Sequence, residues 1–194
     1  MKKKLSIMLA VIVALSMLSG CSKPATAPNE SNESSGDAIK VGVNYELIGQ
    51  VATYGVNLND GVQLAFEEIN ADGGALGKKF DVVTVDNKSE DTEAANLSAK
   101  LATKDKVVAL LGPATSGNTK AASPAAMQNK IPLISGSATA DDVTVDANGK
   151  VRDYIFKTCF SDSFQGVMMA EFALNDLEAK TTAILADSTS DYAQ

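Results

Sequence analysis

From Ile39 onward the chain alternates short β-type runs with amphipathic stretches, and this alternation restricts its possible folds more than any other feature. Ile39-Lys40-Val41-Gly42-Val43 reads as a first strand. Leu58, Val62, Ala65, Phe66 and Ile69 then recur at spacings of three and four, which predicts a helix over Gly55–Asn70 with one apolar face. Asn70-Ala71-Asp72-Gly73-Gly74 should stop that helix, since glycine is the usual residue just past a C-terminus. Phe80–Val85 reads as a second strand, and a helix opens at Asp91 with Ala94, Leu97 and Leu101 on one face. Val107–Leu111 is apolar throughout, as expected of a strand covered on both sides. A helix over Gly117–Asn129, a strand over Ile131–Ile134 and a strand over Tyr154–Thr158 follow. The pattern ends with a helix over Gln165–Leu177 and a strand over Thr182–Ala186. Short strand-helix alternation implies right-handed crossovers and a parallel, doubly wound α/β sheet. Residues 38–158 are expected to form an N-terminal lobe, and residues 159–194 the start of a second α/β lobe. A single crossover unit with one following strand cannot cover both faces of a sheet. The second lobe is therefore expected to be incomplete, and the whole a fragment.

The segment before this body has a different character. Lys2-Lys3-Lys4 is a positive start, and Leu5–Leu18 is an apolar run of about 14 residues, short of the ~20 that span a bilayer as a helix. This reads as a signal peptide rather than a membrane anchor. Leu18-Ser19-Gly20-Cys21 resembles the lipobox of bacterial lipoproteins. The resemblance implies that residues 1–21 are a leader and that Cys21 becomes a lipid-modified N-terminus outside the cell membrane. Residues 22–37 are rich in Ser, Asn, Pro and Glu and nearly free of large apolar side chains. Such a stretch cannot bury enough surface to offset its ordering entropy, so it reads as a flexible tether. Cys159 has no partner once Cys21 is acylated, and its apolar flanks Ile155, Phe156 and Phe160 suggest a buried free thiol.

Composition removes several functions. The net charge of −7 becomes −10 without the three leader lysines, and an acidic body repels nucleic acid. No histidine is present, which excludes Ser-His-Asp triads and His-ligated metals within this chain. No enzyme activity, metal or cofactor is expected. Arg152 is the one arginine, so guanidinium clamps on an anionic ligand are nearly unavailable.

Open parallel sheets bind ligands beyond the carboxyl ends of their strands. Three segments meet that condition: Asn44–Tyr54, Gly112–Gly117 and Ser135–Thr139. The second leads into a helix, whose free N–H groups and dipole favour an anion. Thr115 and Ser116 there, and Ser137 and Thr139 after the next strand, would make a polar cup of hydroxyls and amides. That suits the carboxylate and ammonium of an amino acid better than a phosphate. Thr115 and Ser116 can equally be helix caps. Glu46, in Tyr45-Glu46-Leu47, could touch a polar ligand group, but the simpler expectation is a solvated side chain.

Read together, these residues resemble the leucine-isoleucine-valine-binding proteins of the type I periplasmic-binding fold, over Ile39–Gln194. The markers are Ile39-Lys40-Val41-Gly42, Tyr54-Gly55, Asn70-Ala71-Asp72-Gly73-Gly74, Ile131-Pro132-Leu133-Ile134-Ser135 with Ala138-Thr139, and Asp162-Ser163-Phe164-Gln165-Gly166. The resemblance implies that Ser116 and Thr139 bond a ligand carboxylate, and that the Ser137 carbonyl and Thr139 hydroxyl accept from its ammonium. Ala138 belongs to the same loop. Tyr54 would wall the side-chain pocket, faced by Tyr192 from the second lobe. Ile48-Gly49 departs from the Ser or Thr that many members carry before the glycine of the first loop. The implied function is the substrate-binding subunit of an ABC importer for branched-chain amino acids, working with permease subunits in the membrane. The alternatives are the ligand-binding module of a sensory receptor, or a binder of amides, urea or other small polar solutes.

Overall fold

Five strands and four α-helices carry out the expected alternation: β1 (Ile39–Tyr45), α1 (Ala52–Ala71), β2 (Phe80–Asp86), α2 (Asp91–Lys100), β3 (Ala109–Leu111), α3 (Ser116–Asn129), β4 (Leu133–Ser135), β5 (Ile155–Lys157) and α4 (Asp162–Asn175). This computed structural model describes residues 38–194 other than 189, 191 and 194. The leader, Cys21 and the tether lie outside the described residues. The strands form one sheet in the order β2-β1-β3-β4-β5, with every pairing parallel. The α/β parallel sheet read from the alternation is thus borne out. The order reverses between β1 and β3, and the carboxyl ends of these two strands open on the crevice where such sheets take ligands.

Side chains alternate along β1 and sort the two faces. Val43 and Tyr45 pack with Ala114 against Leu58 and Val62 of α1. Asn44 points the other way, donating through Nδ2 to the Ala94 carbonyl and the Ser98 hydroxyl of α2, each at 2.9 Å. On that second face Leu101, Val107, Leu110, Ala122, Ala126, Leu133 and Ile155 form the main core. The end of α1 is tied to β2 by Asn70, whose side chain donates to the Phe80 carbonyl at 2.9 Å and accepts from its N–H at 2.7 Å. The helix stops where expected, with Gly73 and Gly74 at φ of +107° and +79°.

Burial, and then the neighbouring Glu46 carboxylate, push the Tyr45 phenol up to about 12 from 10.0. A raised phenol favours the folded state fully below pH 10.0, and this contribution is lost as pH climbs toward 12. Ultraviolet titration should therefore find one of the four tyrosines ionising near 12, together with loss of structure. Ionisation of all phenols near 10 in a folded chain would contradict the buried placement.

Two expectations do not hold. Thr182–Ala186 is not a strand. A β-type run needs a neighbour to pair with, and no strand among the described residues pairs with it. Ile184 and Leu185 are accordingly fully exposed. No residue of α4 is buried, and Phe164, Val167, Met169 and Phe172 face outward. Cys159 is free but only half-buried, and partial burial pushes its thiol up.

Candidate functional site

The crevice at the β1/β3 reversal is built around a carboxylate. Glu46 follows β1 directly and is completely buried. It accepts from the Ala114 N–H at 2.9 Å, the Thr115 N–H at 3.1 Å, the Thr115 hydroxyl at 2.9 Å and the Asn118 amide at 2.8 Å. All of these partners are donors, which is the pattern of an ionised carboxylate. The expectation of a solvated Glu46 is overturned. The α3 N-terminus attracts an anion as its geometry predicts, but the anion nearest it is the chain's own. Thr115 is the N-cap, accepting from Asn118 N–H at 3.4 Å. Asn118 also donates to Asn87 Oδ1 at 3.4 Å, so a polar line runs under the first turn of α3 to the end of β2.

The two hydroxyl-rich segments are stitched to each other. Ser135 Oγ donates to the Pro113 carbonyl and Ser137 Oγ to the Ala114 carbonyl, both at 2.7 Å. Ala140 N–H returns the contact to Ser116 Oγ at 3.2 Å. Ser116, Ser137, Ala138 and Thr139 therefore lie in one cluster at the carboxyl ends of β3 and β4. The Ser137 hydroxyl is spent on this stitching. Ser116 keeps its own hydroxyl proton. Among the described residues no protein group bonds the N–H or hydroxyl of Thr139, and none accepts from the N–H of Ser116 or Gly117. These donors, with the Ser137 carbonyl, are what the cluster can offer a small polar molecule.

Tyr54 stands in the first turn of α1 and is two-thirds exposed. Tyr192 is half-exposed, with its hydroxyl 3.3 Å from Gln165 Oε1, and it lines a hollow with Ala140, Asp141, Asp162 and Ser163. Among the described residues no hydrogen bond or ring contact joins the two tyrosines. Two residues escaped the reading of the sequence. Asn118 looks like any polar helix residue. Lys157 sits at the end of β5, where its ammonium donates to the carbonyls of Thr139 at 2.8 Å and Ala140 at 3.1 Å. Period two along β5, with Ile155 buried and Phe156 exposed, was the signal that could have turned Lys157 inward. Among the described residues, no group of three or more acidic or cysteine side chains is placed to hold a metal.

Residues 38–194 match the periplasmic binding protein family across their whole length. The chain belongs to the periplasmic binding protein family. Among curated members of this family, it is 31% identical over 149 residues to the Leu/Ile/Val-binding protein BraC3 of Rhizobium johnstonii, covering 77% of this chain and 39% of that one. The Leu/Ile/Val-binding protein of Escherichia coli is 31% identical over 173 residues, covering 88% of this chain and 44% of the other. Among periplasmic binding protein structures, the branched-chain amino acid transporter substrate binding protein LivJ of Streptococcus pneumoniae, solved with isoleucine, superposes with a TM-score of 0.75 and 47% identity. That match covers 80% of this chain and 43% of LivJ. The leucine binding protein LivK of Thermotoga maritima gives 0.72 and 34%, over 80% of this chain and 42% of LivK. The chain thus spans about two fifths of the length of the curated relatives it matches. The resemblance to leucine-isoleucine-valine-binding proteins seen in the sequence is borne out by these relatives.

Proposed function

We propose that the chain carries one ligand-gripping wall of an extracytoplasmic substrate-binding subunit that delivers branched-chain amino acids to ABC permease subunits. Cys21 carries a lipid that holds the protein at the outer face of the membrane. In this reading Ser116 and Thr139 bond the ligand carboxylate, while the Ser137 carbonyl and the Thr139 hydroxyl accept from the ammonium. Ala138 shapes the loop between them, and Tyr54 and Tyr192 border the apolar part of the ligand. The observation that carries the proposal is the nearly buried Thr139, 8% exposed, with N–H and hydroxyl unspent beside the Ser116 hydroxyl. The relatives named above, LivJ with bound isoleucine among them, support the class of ligand.

The test is a titration with leucine, isoleucine and valine, followed by calorimetry or by amide chemical shifts. Thr139→Ala should weaken binding by roughly 10- to 100-fold, the loss of a hydrogen bond to a charged group. Unchanged affinity in that variant would remove Thr139 from the site. One wall alone should bind weakly, so the outcome that would end the assignment is no change in any amide shift with all three at millimolar concentration.

A further inference from the structure

We propose that Lys157 is a positioning residue that sets the direction of the free Thr139 N–H, and so the strength with which the loop after β4 holds a ligand carboxylate. The inference rests on the reading of that loop as an amino-acid site and deepens it.

The peptide between Thr139 and Ala140 is fixed at both ends. Its carbonyl accepts from Lys157 Nζ at 2.8 Å and from the Asp162 N–H at 3.1 Å, and its N–H donates to Ser116 Oγ at 3.2 Å. The peptide between Ser137 and Ala138 is held through its N–H, which donates to Ser135 Oγ at 3.1 Å. Between them lies the peptide of Ala138 and Thr139. Among the described residues neither its carbonyl nor its N–H has a partner. Its direction is inherited from its two neighbours. Lys157 controls one neighbour, and it also holds the next carbonyl along, that of Ala140, at 3.1 Å.

Two further features make the lysine more than a prop. Among the described residues no carboxylate lies within ion-pair reach of its ammonium. The ammonium bonds two carbonyls of the loop, and so brings a positive charge to the segment that carries the unspent Thr139 N–H. Lys157 also pairs in register with Ser135, whose hydroxyl stitches the two binding segments together. One residue thus touches the loop through its carbonyls while its strand neighbour holds the loop through its amides. The sequence has almost no arginine to supply a cation to a ligand, and this lysine supplies one indirectly.

The experiment uses the 194-residue chain, with leucine as probe, read by amide chemical shifts. Lys157→Met should weaken leucine binding by about tenfold, the scale of one lost charge-assisted hydrogen bond. Lys157→Arg, which can still donate to both carbonyls, should restore affinity to within about threefold. In a cycle with Thr139→Ala, which removes the hydroxyl and keeps the N–H that Lys157 directs, the two losses should roughly multiply. A merely structural lysine would lower the unfolding midpoint and leave the affinities unchanged. Without ligand, Lys157→Met should still shift the Thr139 and Ala140 amide resonances and speed their exchange. If leucine, isoleucine and valine all fail to bind the parent chain, the amino-acid reading falls. If the parent binds and Lys157→Met binds equally well, or if the ligand-free Thr139 amide is indifferent to the substitution, the role of Lys157 falls. Should the methionine variant not fold, Lys157→Gln, with fewer donors and no charge, serves in its place with the same expected direction.

Discussion

Glu46→Ala is expected to destabilise the chain by roughly 3–5 kcal/mol, more than any other single side-chain truncation near the crevice. The carboxylate is fully buried and satisfies two backbone N–H groups, a hydroxyl and an amide. Removing it strands donors that cannot all find other partners, and an unsatisfied buried donor costs about 1–3 kcal/mol. The loss is offset in part because a buried charge with no ion-pair partner among the described residues disappears as well. Glu46→Gln separates these effects. Its carbonyl can keep the Oε1 partners, Thr115 and Asn118, while its NH₂ group meets the Ala114 N–H that Oε2 now accepts. Its cost should be about 1–3 kcal/mol, that of a single opposed contact. Urea unfolding followed by circular dichroism measures both. Amide exchange at Ala114 and Thr115 should accelerate in the order parent, Gln, Ala. Equal stability of all three would mean that the carboxylate does not build the start of α3.

Gly55→Ala should rival it. Gly55 is the one buried residue of α1, and a Cβ there would stand 2.2 Å from the Glu46 carbonyl oxygen and 2.6 Å from its carbon. The obstruction is backbone against backbone, so no side-chain rotation relieves it. Relief requires α1 to lift from the end of β1, with a cost at or above the usual 1–3 kcal/mol of overpacking. The lift would displace Tyr54 and pull on the peptide that carries Glu46. The variant should therefore lose stability and, in the same proportion, the exchange protection of Ala114 and Thr115. A folded Gly55→Ala chain of unchanged stability would show that the close approach of helix and strand is not required. The two positions touch, so their costs should not add.

The alternation of strands and helices was legible because apolar periodicity tracks burial, although Ile69, read on the apolar face of α1, is exposed. Val43, Leu110, Leu133 and Ile155 are inside, and Leu58 and Val62 line the inner face of α1. The strand boundaries were less so. Val107 and Val108 look alike in sequence, yet Val107 is buried, Val108 is exposed and β3 begins only at Ala109. Thr182–Ala186 has the composition of a strand without a partner to make it one. At the crevice, the hydroxyl residues could be found because they follow strands at the exits where ligands bind. Glu46 could not be found from its charge, since carboxylates are mostly solvated. Its phase on β1 is shared with Asn44, which places it beneath α2 and α3, but the donors that stabilise it lie some seventy residues away in sequence. Lys157 was missed because its partners are backbone carbonyls, which no motif announces, although the period of β5 turns it inward.

The stitching of Ser135 to Pro113, Ser137 to Ala114 and Ala140 to Ser116 has a thermodynamic consequence. Two loops that would otherwise wander separately form a single rigid jaw. The freedom that an arriving solute would have to freeze is already gone when the protein folds, so this jaw is preorganised and contact energy made on it goes into affinity rather than into ordering the loops.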